Sequence, residues 1–188
     1  MNGGGSVVAA SEPRGIIIVK FARWTAASAA RQGCDVRGAK WYEHLDRVDL
    51  ASLLALAPVT QPSFLEWHQG EVQKVASSAG VPIGWAAKMV NMLVKVHVYL
   101  ARRGDASLLA FIHPPIDSGL VAAVRRDFPL KGPKQHYGNR EIRDLSDLGV
   151  PISGVTSYAQ YLKVIDGLML VSKRLGCTLF EVEHLWDE

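Results

Sequence analysis

Two side chains stand out for the chemistry they could do together. Lys88 lies in a run with helical apolar spacing, and Asp117 follows the segment His113-Pro114-Pro115-Ile116. A neutral lysine amine is a nucleophile that forms Schiff bases. An ionised carboxylate stabilises positive charge as it develops in a transition state. Each also has an ordinary reading. A lysine on an amphipathic helix usually carries its amine to solvent along an apolar stem, and an aspartate ahead of a helix is commonly its N-cap. The pair rises above those readings only if other elements bring both groups to one opening.

Those elements can be read from the chain. Ser63, with Glu66 three residues on, has the pattern of a capping box and predicts a helix to about Ser78. Gly80-Val81-Pro82-Ile83-Gly84 is a tight connection. From Trp85 to about Arg103, apolar residues recur at steps of three and four, the strongest helical pattern in the chain. Gly104 and Asp105 end it. The double proline excludes helix and favours an extended approach, after which Asp117 or Ser118 caps a helix over about 118–128. Residues 63–128 therefore read as helix, hairpin, helix bearing Lys88, extended segment, Asp117 and a further helix.

This unit resembles the helix-hairpin-helix DNA glycosylases. The run Lys88-Met89-Val90-Asn91-Met92-Leu93-Val94 is similar to the Lys-x-x-Asn-apolar-apolar-apolar segment of their endonuclease branch. Pro115-Ile116-Asp117-Ser118 is similar to their apolar-Val-Asp-Thr segment, and Leu120 to Val124 followed by Arg125 and Arg126 fits the helix that comes next. The long interval between Lys88 and Asp117 looks more like the archaeal 8-oxoguanine branch. The hairpin departs from the usual Leu-Pro-Gly-apolar-Gly, and Lys88 falls further beyond its last glycine than in the family.

The resemblance implies a compact, mainly α domain with little or no sheet. It implies an enzyme that flips a damaged or modified base out of duplex DNA and excises it, with Lys88 as nucleophile and Asp117 as charge stabiliser. Oxidised guanine is one candidate base, from loop length; a bulky modified base such as those in phage DNA is another. No metal or organic cofactor is implied. The chemistry is coherent. A base stacked in a duplex must be rotated out before an enzyme reaches it. Breaking its N-glycosidic bond builds positive charge on the sugar, which a carboxylate can stabilise. Attack of the amine at C1′ would leave a Schiff base that permits strand cleavage.

Other residues could serve such a site. The amides of Ile83, Gly84 and Trp85, at a helix N-terminus, could hold a DNA phosphate. Lys95, seven residues after Lys88, is either a further phosphate contact or a surface lysine. Arg125 and Arg126 open a basic run reaching Arg143, with Tyr137 in it, that suits a groove tracking a nucleic-acid backbone or else a solvated loop. His113, Trp41 and Trp186 are candidates for a base pocket, against the ordinary readings of a satisfied histidine and core tryptophans. Two other functions remain open: a non-catalytic DNA-binding module that uses the hairpin, and a helical protein-interaction module in which Lys88 and Asp117 are incidental.

The rest of the chain bounds these readings. Its 188 residues suit one domain, expected over 15–188 behind a flexible Gly- and Ser-rich lead at 1–14. An apolar share of 48% against 21% charged supports a packed core rather than disorder. Gly15 to Phe21 reads as a short strand or a buried helix start, and residues 39–56 as one or two short helices ended by Pro58 and Pro62. Residues 129–153 read as loop, with room for a short helix near 139–147. Ser157 with Gln160 opens a helix to Leu175 with Gly176 beyond it, and Thr178 with Glu181 opens a last short one. The net charge of +3 permits a polyanion such as DNA without requiring one. Cys34 and Cys177 form no metal or disulfide pattern. No secretory leader is evident, and Asn91, Lys95 and His97 interrupt the longest apolar stretch. A cytoplasmic monomer without a membrane span is the default expectation.

Overall fold

A computed structural model describes residues 12–30, 34–128, 149 and 151–186, and these contain helices and no strand. The lead at 1–11, the short helix expected near 139–147 and most of the basic run lie outside the described residues. Helix α1 spans Pro13–Ser28, so Pro13 and Arg14 belong to the helix rather than to the lead. Pro13 in the first turn has the backbone angle a helix start requires and loses no bond there. The apolar run Gly15 to Phe21 is helical, because a lone strand would leave its backbone groups unpaired. Nor is that run buried as a block. Small residues (Gly15, Ala22, Ala26, Ala27) face inward, while Ile17, Phe21 and Trp24 face outward.

Two short helices follow, α2 (Lys40–Leu45) and α3 (Leu50–Ala55), the second capped by the Asp49 carboxylate on the Ser52 amide. Helix α4 spans Gln61–Ala79. Its cap is Thr60 rather than Ser63: the Thr60 hydroxyl accepts from the Ser63 amide, and the Ser63 hydroxyl accepts from the Thr60 amide. Pro62 thus sits inside the first turn, where its missing N–H costs nothing. At the far end Gly80 adopts a left-handed φ of 64°, and the Val81 amide reaches back to the Ala76 carbonyl.

Helix α5 (Ile83–Val94) is the centre of the molecule. It is buried on nearly all sides, as a helix that is apolar all round must be. It packs against α4 and α1, and the widened π-helical turn Lys95–Leu100 continues it. A 3-10 turn, Ala106–Ala110, leads into the extended segment ahead of α6 (Ser118–Asp127), which Asp117 caps. A second 3-10 turn, Ile152–Gly154, precedes α7 (Tyr158–Leu175). Helix α7 has the expected reciprocal Ser157–Gln160 box and ends at Gly176 with φ 66°. The last element among the described residues is a 3-10 helix, Phe180–Leu185. Among the described residues no helix is long and apolar enough to cross a membrane.

The connection between α4 and α5 is covered. The Gly84 amide donates to the Val155 carbonyl at 2.9 Å. A Cβ on Gly84 would overlap the Ile152 carbonyl oxygen. Gly84→Ala therefore has to displace backbone. The expected cost is about 1–3 kcal/mol. That corresponds to a fall in Tm of roughly 2–12 °C for a domain of this size, read by calorimetry.

Candidate active site

Lys88 lies one turn into α5, where the C-terminus of α1 meets the start of α6. Its amine donates to the Ala29 carbonyl at 3.2 Å and lies 3.6 Å from Asp117 Oδ2. Ala29 is the residue that caps α1, at the end where free carbonyls and the negative pole of the helix gather. Asp117 divides its two oxygens. Oδ1 accepts the Leu120 amide at 2.9 Å as the N-cap of α6, and Oδ2 faces the amine. A separation of 3.6 Å is an ion pair but too long for a good hydrogen bond. Lys88 is 8% exposed, and its amine lies 5.5 Å from the Trp85 ring centroid.

Both groups line one cleft of about 840 Å³. Trp85, Arg125, Tyr161 and Trp186 share its wall, together with the stretch at 151–155. Trp186 comes from the C-terminal end of the described chain and rests on Gly119, in the first turn of α6. A Cβ on Gly119 would overlap the indole Nε1, so glycine is what lets the ring settle two residues from Asp117. Trp186 itself is half-exposed.

The other expected site residues divide. Gly84 and Trp85 line the cleft, but their amides are taken by the carbonyls of Val155 and Pro82. Two of the three amides expected to hold a phosphate, those of Gly84 and Trp85, are therefore already bonded, the first because the turn before α7 folds over the start of α5. Ile83 does not line the cleft. Lys95 does not join Lys88. Glu183 holds its amine at 2.6 Å in a separate hollow beside Phe180. Arg125 lines the cleft, whereas Arg126 forks onto Asp127 at the surface. Trp41 is fully buried and donates its indole N–H to the Val36 carbonyl, so it belongs to the core. Lys131, Lys134, Tyr137, Arg140 and Arg143 lie outside the described residues.

His113 does not line the cleft either. It belongs to a buried polar network with His68, Asn91, Tyr158 and Tyr161. Only Asn91 and His113 drew attention in the sequence as parts of the Lys88–Asp117 unit. Tyr158, Tyr161, Ile165 and Leu168 do form an apolar stripe, which announces a buried face but not its partners. Burial dominates the titration of the network. It pushes His68 down to about 4 against a smaller opposing effect of its bond to Asn91. Burial, then the nearby His68, lowers His113. Burial raises Tyr161. His97, elsewhere in the core, is also pushed to about 4, by burial and then by Arg103.

Among the described residues no group of three or more His, Cys, Asp or Glu could hold a metal ion. No protein-family model matches the chain, and neither a curated protein nor a solved structure matches it.

The buried histidines make stability depend on pH. His68 has an ordinary value of 6.5 and a folded value of about 4, so between them the unfolded chain binds more protons than the fold. Stability is then complete above about 6.5 and is lost as pH falls towards 4. His68 alone contributes roughly 3 kcal/mol to that loss, and His97 acts in the same direction. Urea midpoints measured at pH 7, 6 and 5 should fall in that order; a constant midpoint would contradict burial of neutral rings.

Proposed function

We propose that this protein is a DNA glycosylase that takes a flipped-out base into the cleft beside Lys88 and Asp117. The observation that carries the reading is the 3.6 Å approach of an amine to a carboxylate on the wall of a cleft of about 840 Å³. That volume is in the range of small-molecule sites and leaves room for a base with a substituent. Asp117 Oδ2, the oxygen left over from capping, stabilises the positive charge of the sugar. Lys88, once neutral, attacks C1′ as the base leaves with the electron pair of the glycosidic bond and picks up a proton. Ring opening then gives an iminium at C1′, which borohydride reduces to a stable amine. Arg125 on the same wall suits a phosphate of the bound strand.

One observation favours a second reading. The Lys88 amine also bonds the Ala29 carbonyl, as a purely structural tie between α1 and α6 would. A non-catalytic module that grips phosphate with the hairpin has less support, because the Gly84 and Trp85 amides are occupied.

Duplexes carrying assorted lesions, with and without borohydride, separate these readings. The wild-type chain should release a base and yield a trapped protein–DNA adduct. Lys88→Gln keeps a donor towards Ala29 but should lose the adduct. Asp117→Asn should slow base release about 10²–10³-fold; it keeps a cap for the Leu120 amide but removes the counter-charge of the buried Lys88 amine, so its Tm should fall. Release that persists without trapping, unaffected by Lys88→Gln, would keep excision but remove the lysine as nucleophile. No release from any duplex would sink the glycosylase reading.

A further inference from the structure

One acceptor that cannot donate sets the direction of the hydrogen bonds in the buried network beside the cleft. The Pro114 carbonyl can only accept, so the group of Asn91 that lies 2.9 Å from it must be the amide nitrogen. Asn91 Oδ1 then faces His68 Nε2 at 2.8 Å, and an oxygen there can only accept, so Nε2 carries a proton. His68 is fully buried and neutral, which leaves Nδ1 as an acceptor for the Tyr158 hydroxyl at 2.8 Å. The second N–H of Asn91 goes to the Tyr161 oxygen at 3.1 Å. The Tyr161 hydroxyl is then free to donate to His113 Nδ1 at 2.8 Å. His113, also neutral, carries its proton on Nε2. The two imidazoles lie 4.9 Å apart, where two charged rings would repel.

Asn91 and Lys88 sit one turn apart on α5, and Pro114 lies three residues before Asp117. The same rigid helix thus carries the amine and grips the backbone that carries the acid. We infer that Asn91 is the positioning residue that sets Asp117 against Lys88, held in a single orientation by this chain of neutral hydrogen bonds. The kinetic consequence rests on the glycosylase reading; the structural one does not. Without the Asn91 bond, the Pro-Pro segment is no longer tied to α5, and Asp117 drifts relative to the amine. A misplacement of about 1 Å costs a reaction about 10²-fold.

The test has two arms. Long-range ¹H–¹⁵N NMR of the wild-type imidazoles near pH 7 should find both His68 and His113 protonated on Nε2. A proton on Nδ1 of His68 would overturn the inference, because Asn91 would then have turned its oxygen towards Pro114. In Asn91→Leu, which keeps the volume and removes the donors, the Leu120 amide bonded to Asp117 should shift. The kcat for base release should fall about 10²-fold with KM unchanged. Asn91→Ala also removes the donor to the Pro114 carbonyl, so it should behave alike. A folded variant with an unmoved Leu120 amide and an unchanged kcat overturns the inference, even if its Tm has dropped. If the wild-type chain releases no base from any duplex, the glycosylase reading falls. The imidazole protons and the Leu120 amide then still decide the role of Asn91. The wild-type NMR arm stands even if neither variant folds.

Discussion

A lysine and an asparagine one turn apart on a helix buried nearly all round cannot be left without partners. Helix α5 meets that demand in two directions. Lys88 reaches the last carbonyl of α1 and the cap of α6. Asn91 reaches His68 on α4, the Pro114 carbonyl, and Tyr161 on α7. Five elements around α5 are therefore placed by the needs of two polar side chains, while apolar packing supplies the bulk of the cohesion. Both sets of bonds converge on the segment from His113 to Asp117, so the acid is held from two sides.

The cleft follows from the same arrangement. Lys88 occupies the join between α1 and α6, and the turn before α7 forms part of the opposite wall. Two glycines allow this closeness. Gly84 lets the Ile152 backbone lie on the start of α5, and Gly119 lets the Trp186 indole lie on the start of α6. A side chain at either point would push a wall outward. The two sites differ in what they cost: covering Gly84 removes an amide that could have met a phosphate, whereas the contact at Gly119 brings an aromatic ring to the rim.

The polar network is also a reservoir of rigidity. Its members are buried, mutually satisfied and neutral, and a chain of such bonds in a low-dielectric interior resists reorientation. The aromatic rings of Phe64, His68, His113 and Tyr161 pack at centroid distances of about 5–6 Å around it. An ionised group placed there would have no solvent to compensate it. The charged groups on the cleft side, by contrast, pair with each other at 3.6 Å on the wall of the cleft.

Local patterns in the chain were enough for most of the helices and for singling out Lys88 and Asp117 one by one, though not for their meeting. Periodicity located α5, the prolines defined the extended approach, and Asp117 was legible as a cap, because helix formation and capping depend on neighbours three or four residues away. The Thr60 cap was misplaced by three residues, since a proline in a first turn and one that ends an element look alike locally. Spacing left Lys95 as either a phosphate contact or a surface lysine, but Glu183, eighty-eight positions on, claims its amine. Trp41 and His113 had the chemistry of a pocket and lie in the core. The Gly84–Val155 bond, the Ala29 carbonyl, the Trp186–Gly119 contact and the His68–Tyr161 network all join residues far apart in sequence. Which distant groups satisfy a buried donor is decided by packing, and no local periodicity encodes it.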